Sequence, residues 1–258
     1  MRIPHDQIRS IFYFLFLSFI ASPLWASDIS KTIETIKPSV VGIASYEKTR
    51  VPALRFIGTG FAVGNGQTII TNAHVVKAIG AGGSNEVMGV ITGKGAATDF
   101  RPATLVDTDV EHDLAQLNIS GAPLPVLKIG DSGIVKEGRS LVFTGFPIGM
   151  ALGFHHVTHR TMIASITPIS SPALHSQKLT PNMIAQLRNS AYSVFQLDGT
   201  AYPGNSGSPL YDPETGEVFG IINKVFIKDT KENVLSNPSG ITYAIPSVFI
   251  RAFLDRKK

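Results

Sequence analysis

From residue 40 to residue 246 the chain is a succession of short apolar, β-branched runs separated by glycine, proline, asparagine and aspartate. Val40-Val41-Gly42-Ile43-Ala44, Gly60-Phe61-Ala62-Val63, Thr68-Ile69-Ile70-Thr71, Val87 to Thr92 and Leu114 to Ile119 read as strands of a first barrel. Gly64-Asn65-Gly66 has the composition of a tight hairpin turn between two of them. Ser140 to Thr144, His156 to Ile166, Ser208 to Tyr211, Val218 to Ile222 and Thr242 to Ile245 read as strands of a second barrel. The 24 glycines and 16 prolines supply frequent turns. The pattern predicts an all-β protein, with an N-terminal barrel over about 38–120, a linker over 121–133 and a C-terminal barrel over about 134–246. Helical periodicity is confined to three places. They are Ser30 to Ile36, the Thr180-Pro181 start followed by Asn182 to Asn189, and an amphipathic closing helix over about 247–255.

The first 26 residues have a different character. Arg2 and Arg9 give a basic start, Ile11 to Ala21 is an apolar core, Pro23 breaks it and Ala26 offers a small residue for cleavage. This predicts a secretory signal over 1–26 and a functional domain over 27–258, with an uncleaved anchor as the alternative. The formal charge of +4 is small and the basic residues form no long run, so neither nucleic acid nor, once the signal is removed, a membrane surface is an expected partner. With no cysteine, a secreted chain must be held by its core, and this one is long enough to bury one.

Three segments carry the chemistry. Thr71-Asn72-Ala73-His74-Val75-Val76 places a histidine after a strand-like run, His112-Asp113-Leu114-Ala115 places an aspartate before another, and Pro203-Gly204-Asn205-Ser206-Gly207-Ser208-Pro209 places a serine in a glycine-bracketed turn. Taken singly, each is an ordinary turn, a core histidine or a strand cap. Together, in the order His, Asp, Ser, they supply a base, an orienter and a nucleophile for acyl transfer. A serine hydroxyl is a weak nucleophile until an imidazole takes its proton, and the imidazole needs a carboxylate to fix its tautomer. The turn can also direct the N–H groups of Gly204 and Ser206 at a developing oxyanion. The expected catalytic residues are therefore His74, Asp113 and Ser206, with Gly204 and Ser206 as the oxyanion hole.

With these motifs the chain resembles the trypsin-like serine proteases, and among them the bacterial HtrA/Deg branch. The resemblance runs over about residues 30–250. It is carried by Gly58-Thr59-Gly60-Phe61-Ala62-Val63 with Ile69 to Val76, by Asp109 to Leu117, by Gly145-Phe146-Pro147-Ile148-Gly149, by Phe195 to Asp198 with the serine turn, and by Gly240 to Pro246. It implies two six-stranded antiparallel barrels with the site in the cleft between them, and serine endopeptidase activity on periplasmic or secreted proteins, with a bacterial origin favoured by the lack of cysteines. It also implies a specificity pocket floored by Thr200 and lined by Ala201 and Ile222, with Ile222 and Asn223 beginning a strand edge, over Ile222 to Val225, that could pair with substrate. No acid stands at the pocket floor, so small or medium apolar side chains are expected there. Ser208 departs from the glycine usual in the family and is shared with the staphylococcal glutamyl endopeptidases. Asn205 stands where zymogen-activated relatives carry an aspartate, which implies control by the loops over 146–156 and 198–203. The sequence ends at Lys258, soon after the last strand, so the expectation is a protease domain without the PDZ domain common in HtrA proteases.

Two other function classes compete with a peptidase. A peptide-binding module on the same scaffold would normally lack one triad member, whereas all three are present. An esterase or acyltransferase would use the same triad, but no hydrophobic lid is visible. His155, His156 and His159 suggest a metal site. Because His155 and His156 alternate along a predicted strand, and no cysteine or carboxylate completes a ligand set, no metal or other cofactor is expected.

Overall fold

The computed structural model describes residues 29–80, 86–95, 97–148, 153–168, 192–223 and 241–256. The leader and the helix expected over 182–189 lie outside these residues. A short helix α1 (Ile29–Ile36) leads into β1 (Val40–Tyr46), β2 (Leu54–Val63), β3 (Thr68–Thr71), helix α2 (Ala73–Gly80), β4 (Val87–Lys94), β5 (Ala97–Asp109) and β6 (Leu114–Ile119). After a linker come β7 (Ser140–Gly145), β8 (Val157–Pro168), β9 (Ser193–Asp198), β10 (Pro209–Tyr211), β11 (Val218–Asn223), β12 (Ile241–Pro246) and helix α3 (Ser247–Asp255).

The strands close into two antiparallel barrels. The first runs β1-β2-β3-β6-β5-β4 and the second β7-β8-β9-β12-β11-β10, the same order repeated. The all-β, two-barrel expectation therefore holds, with six strands in each. Two strands escape the hydrophobic pattern, β5 and β9. β5 carries Pro102 and faces solvent over most of its length, with Leu105 46% and Val106 37% exposed. A strand with so little buried surface has no apolar alternation to detect. Helix α2 is the converse case. It is not among the expected helices: Val75 and Val76 are β-branched and favour strands by propensity, but together with Ile79 they bury one helical face against the first barrel. The strand-borne alternation assumed for His155 and His156 also shifts, because β8 begins at Val157.

Two apolar clusters fill the individual barrels, and a third crosses between them. The crossing cluster joins Phe61, Val63 and Ile70 of the first barrel to Phe146, Phe154 and Tyr211 of the second. α3 closes on the second barrel by burying Ile250 and Phe253, each worth about 1.5–3 kcal/mol on transfer from water. Its start is tied to the linker, where Ser247 Oγ donates to the Gly130 carbonyl at 2.8 Å and Val248 N–H to Ser132 Oγ at 2.9 Å.

The β10–β11 turn is organised by Asp212, which accepts from Arg139 Nη2 and from the Glu214 N–H at 2.9 Å and from the Thr215 N–H at 3.0 Å. Burial pushes this carboxyl pKa up, but the Arg139 bond, the two backbone N–H groups and the Arg139 charge together bring it below the usual carboxylate range. With the folded value below the unfolded one of about 3.9, Asp212 stabilises the fold at neutral pH and that contribution is lost as pH falls through the folded value. Asp212→Asn is thus expected to lower the melting temperature at pH 7, and the gap between the variant and wild-type melting curves is expected to shrink by pH 3. A melting difference as large at pH 3 as at pH 7 would show that the ionised form is not what matters.

Candidate active site

His74 and Asp113 meet at the start of α2. Free N–H groups at a helix N-terminus need acceptors, and Asp113 provides two. Its backbone carbonyl accepts from the Ala73 N–H at 3.1 Å and its Oδ1 from the His74 N–H at 2.8 Å. The other oxygen, Oδ2, lies 2.6 Å from His74 Nδ1. One carboxylate therefore holds both the backbone and the ring of His74, and it places the ring proton on Nδ1. That leaves the Nε2 lone pair as the basic site. Asp113 adopts a left-handed conformation (φ 50°), which aspartate tolerates better than most residues. Asn72 Nδ2 braces the same turn by donating to the Asp113 carbonyl at 3.1 Å.

The serine turn comes from the second barrel, but the first barrel grips it. Thr59 of β2 is fully buried. Its N–H donates to the Ser206 carbonyl at 2.8 Å, and its hydroxyl donates to the Gly204 carbonyl at 2.7 Å. The same hydroxyl accepts from the Phe146 N–H at 3.3 Å, and the Thr59 carbonyl accepts from Thr71 Oγ1 at 2.7 Å. The approach is so close that only glycine fits at position 207. It has φ 89°, and a Cβ there would overlap the Thr59 carbonyl. Gly204, at φ 101°, is under the same constraint from the Phe146 carbonyl.

The peptide between Pro203 and Gly204 is fixed from one side. The Ile148 N–H donates to the Pro203 carbonyl at 2.6 Å. Because C=O and N–H point oppositely in a trans peptide, the Gly204 N–H faces away from Ile148. Ile148 holds this position at φ 59°, a costly conformation for a β-branched residue. Ser206 is 6% exposed. Among the described residues, the side-chain hydrogen bond of the His74 ring runs to Asp113 and none joins it to Ser206. Such bonds often lengthen without substrate and tighten when it binds.

Ala201 is buried, with its N–H donating to Thr242 Oγ1 at 2.8 Å, and Thr200 beside it is half-buried. Ile222 is buried in the second barrel, and its N–H and C=O are bonded to Ser208 and Gly207 at 2.9 Å. Its backbone is thus already occupied within the barrel. Asn223 is also buried, and its Nδ2 donates to Asp113 Oδ2 at 2.9 Å. It thereby links the second barrel to the carboxylate that holds His74. The continuation of that strand past 223 lies outside the described residues. Beneath the turn, the buried Asn205 amide and Ser208 hydroxyl crowd Gly145.

Sequence reasoning missed the grip of Thr59 and the Asn223 link. Thr59 lies in the Gly58-Thr59-Gly60 motif already singled out, but nothing local reveals what its hydroxyl reaches. Among the remaining histidines, His156 lies 2.9 Å from the Val40 carbonyl and His159 stacks on Phe143. Burial lowers the pKa of both. Among the described residues no group of three or more His, Asp or Glu is placed to hold a metal ion, and no helix is long and apolar enough to cross a membrane.

Residues 58–221 match the family model described as trypsin-like peptidase domain. The chain is 31% identical over 199 residues to serine protease HTRA2, mitochondrial, of Drosophila pseudoobscura pseudoobscura, covering 77% of this chain and 38% of that protein. It is 31% identical over 232 residues to serine protease HTRA4 of Homo sapiens, covering 88% and 40%. Serine protease HTRA1 of Xenopus tropicalis is 32% identical over 232 residues, covering 88% and 42%. The chain spans less than half the length of these relatives. A solved HtrA-type protease, AlgW with a tripeptide, shares the fold at a TM-score of 0.62 and 20% identity, over 88% of this chain and 62% of that one. The family match covers more than half of the chain, reaches into both barrels and includes the segments bearing His74, Asp113 and Ser206, and on that ground the chain belongs to the trypsin-like peptidase family, with HtrA serine proteases among its relatives.

Proposed function

We propose that the chain is a serine endopeptidase with His74, Asp113 and Ser206 as its catalytic triad. The observation that carries this reading is the 2.6 Å pairing of His74 Nδ1 with a carboxylate that also takes the His74 N–H. It commits the ring to the tautomer a general base requires. Ser206 Oγ attacks the scissile carbonyl carbon while Nε2 takes its proton. The N–H groups of Gly204 and Ser206 receive the oxyanion. Collapse expels the amine, which takes the proton back from Nε2, and leaves an acyl-serine. Water, deprotonated by the same nitrogen, then releases the acid.

Protein segments that can enter the cleft in extended form are the proposed substrates. A tripeptide accompanies the related AlgW fold, which fits this reading. Thr200 and Ala201 offer no charge, so the pocket suits small or medium apolar side chains. The basic start and apolar core over 1–26 favour a periplasmic or secreted setting.

A fluorophosphonate probe is expected to label wild-type protein at Ser206, and Ser206→Ala is expected to abolish both labelling and casein cleavage with little change in melting temperature. Wild-type protein that neither labels nor cuts would leave peptide binding without hydrolysis as the better account. Asp113→Asn keeps the shape but frees His74 to take the wrong tautomer, so turnover should fall by several orders of magnitude, as in other proteases of this chemistry (about 10⁴-fold). A variant retaining most activity would reduce Asp113 to a helix cap.

Thr59→Val tests the grip on the serine turn. It keeps the volume but leaves the Gly204 carbonyl and the Phe146 N–H without the hydroxyl. An oxyanion donor is worth about 10²–10³-fold in kcat, so a fall in kcat of at least about tenfold is expected with KM little changed, and Thr59→Ser should restore most of it. Wild-type kcat in the valine variant would show that the hydroxyl does not set the turn.

A further inference from the structure

A second polar cluster lies behind Asp113, on elements the proposed reaction does not use. Asp109, the last residue of β5, is 4% exposed. Its Oδ1 accepts from the His112 N–H at 3.1 Å, and its Oδ2 meets His112 Nδ1 at 2.8 Å and Arg256 Nη2 at 2.7 Å. The His112 ring stacks on Phe249 with centroids 4.3 Å apart and an interplanar angle of 21°, and it lies 4.7 Å from the Tyr192 ring. Phe249 belongs to α3 and Arg256 follows it directly. A helix that packs on the second barrel therefore reaches across to the first-barrel turn that carries Asp113.

We propose that Arg256 is a positioning residue for Asp113, holding the buried Asp109 carboxylate that shapes the turn from Val110 to Asp113. This rests on the triad reading above. The reasoning begins with Asp113 itself. A left-handed conformation at a non-glycine residue is unfavourable and persists only where neighbours enforce it. Three contacts enforce it from the Asp109 side. Asp109 caps the turn through the His112 N–H, it fixes the His112 ring, and that ring is clamped on Phe249 and Tyr192. Asp109 can be buried as an anion because His112 and Arg256 both donate to it. Without Arg256 the buried carboxylate loses its cationic partner, and the turn can relax toward solvent. Asp113 would then drift from His74, while the peptide-binding surfaces of the second barrel stay in place.

The test compares Arg256→Ala, Arg256→Gln and Arg256→Lys with wild type, all in the full-length chain. The readouts are kcat and KM on a peptide substrate, the rate of fluorophosphonate labelling and the melting temperature. Arg139→Ala serves as the control, since it removes an ion pair of similar length, to Asp212 at 2.9 Å, away from the triad. The alanine variant should lose about tenfold in kcat and in labelling rate, the size expected when about 1.4 kcal/mol of positioning is removed, with KM unchanged. Lysine should restore most of the loss and glutamine less. Arg139→Ala should lower the melting temperature without lowering kcat. If Arg256→Ala does not fold, the lysine and glutamine variants decide, and equal kcat in those two would overturn the proposal. Wild-type kcat in the alanine variant, or a loss confined to KM, would overturn it as well. Wild-type protein that fails to label at all would instead overturn the triad reading on which it rests.

Discussion

At the serine turn the two barrels are joined through a buried threonine. Thr59 donates from its backbone to the Ser206 carbonyl and from its hydroxyl to the Gly204 carbonyl, so a strand of the first barrel sets the conformation of a turn in the second. On the proposed reading, neither barrel contains a complete site. The first brings His74 and Asp113, the second brings Ser206, and their relative position is fixed where Thr59, Gly207 and the apolar cluster around Phe61 and Phe146 meet. Glycine at 207 follows from this closeness, because any side chain there would collide with the Thr59 backbone. Asn223 completes a reciprocal arrangement. The first barrel holds the serine turn through Thr59, and the second holds the Asp113 carboxylate through Asn223.

The same seam explains why Ile148 holds a strained backbone. Ile148 adopts a left-handed conformation to present its N–H to the Pro203 carbonyl, and the Phe146 N–H reaches the Thr59 hydroxyl two residues earlier. The Phe146–Ile148 turn therefore fits against Gly204 as one unit. A change at either contact would alter the direction of the Gly204 N–H. On the proposed mechanism that direction sets the catalytic rate.

Much of this architecture was legible in the sequence, because strands with one buried face announce themselves by alternation, and because the histidine, aspartate and serine segments combine residue type with order. Legibility ended where the information was not local. β5 faces solvent and carries no apolar stripe. Val75 and Val76 favour a strand on their own, but the free N–H groups beyond Asn72 find acceptors in Asp113, and a helix forms. Thr59 reaches Gly204 across 145 positions, Asn223 reaches Asp113 across 110, and Arg256 reaches Asp109 across 147. Those contacts follow from barrel closure and interbarrel packing, which no window of sequence contains. Ile222 and Asn223 show the same limit. They lie on the strand expected beside the site, yet the backbone of one is bonded within the barrel and the side chain of the other is turned onto the carboxylate.

The central claim is that the seam assembles one working site from two barrels. A crystal structure of the protein with a phosphonate covalently bound to Ser206 tests it most directly. The account predicts the phosphonyl oxygen within hydrogen-bond distance of both the Gly204 and Ser206 N–H groups, Nε2 of His74 turned toward the modified oxygen, and the Thr59 contacts intact. A bound phosphonate whose oxygen points away from the Gly204 N–H, with His74 released from Asp113, would contradict it.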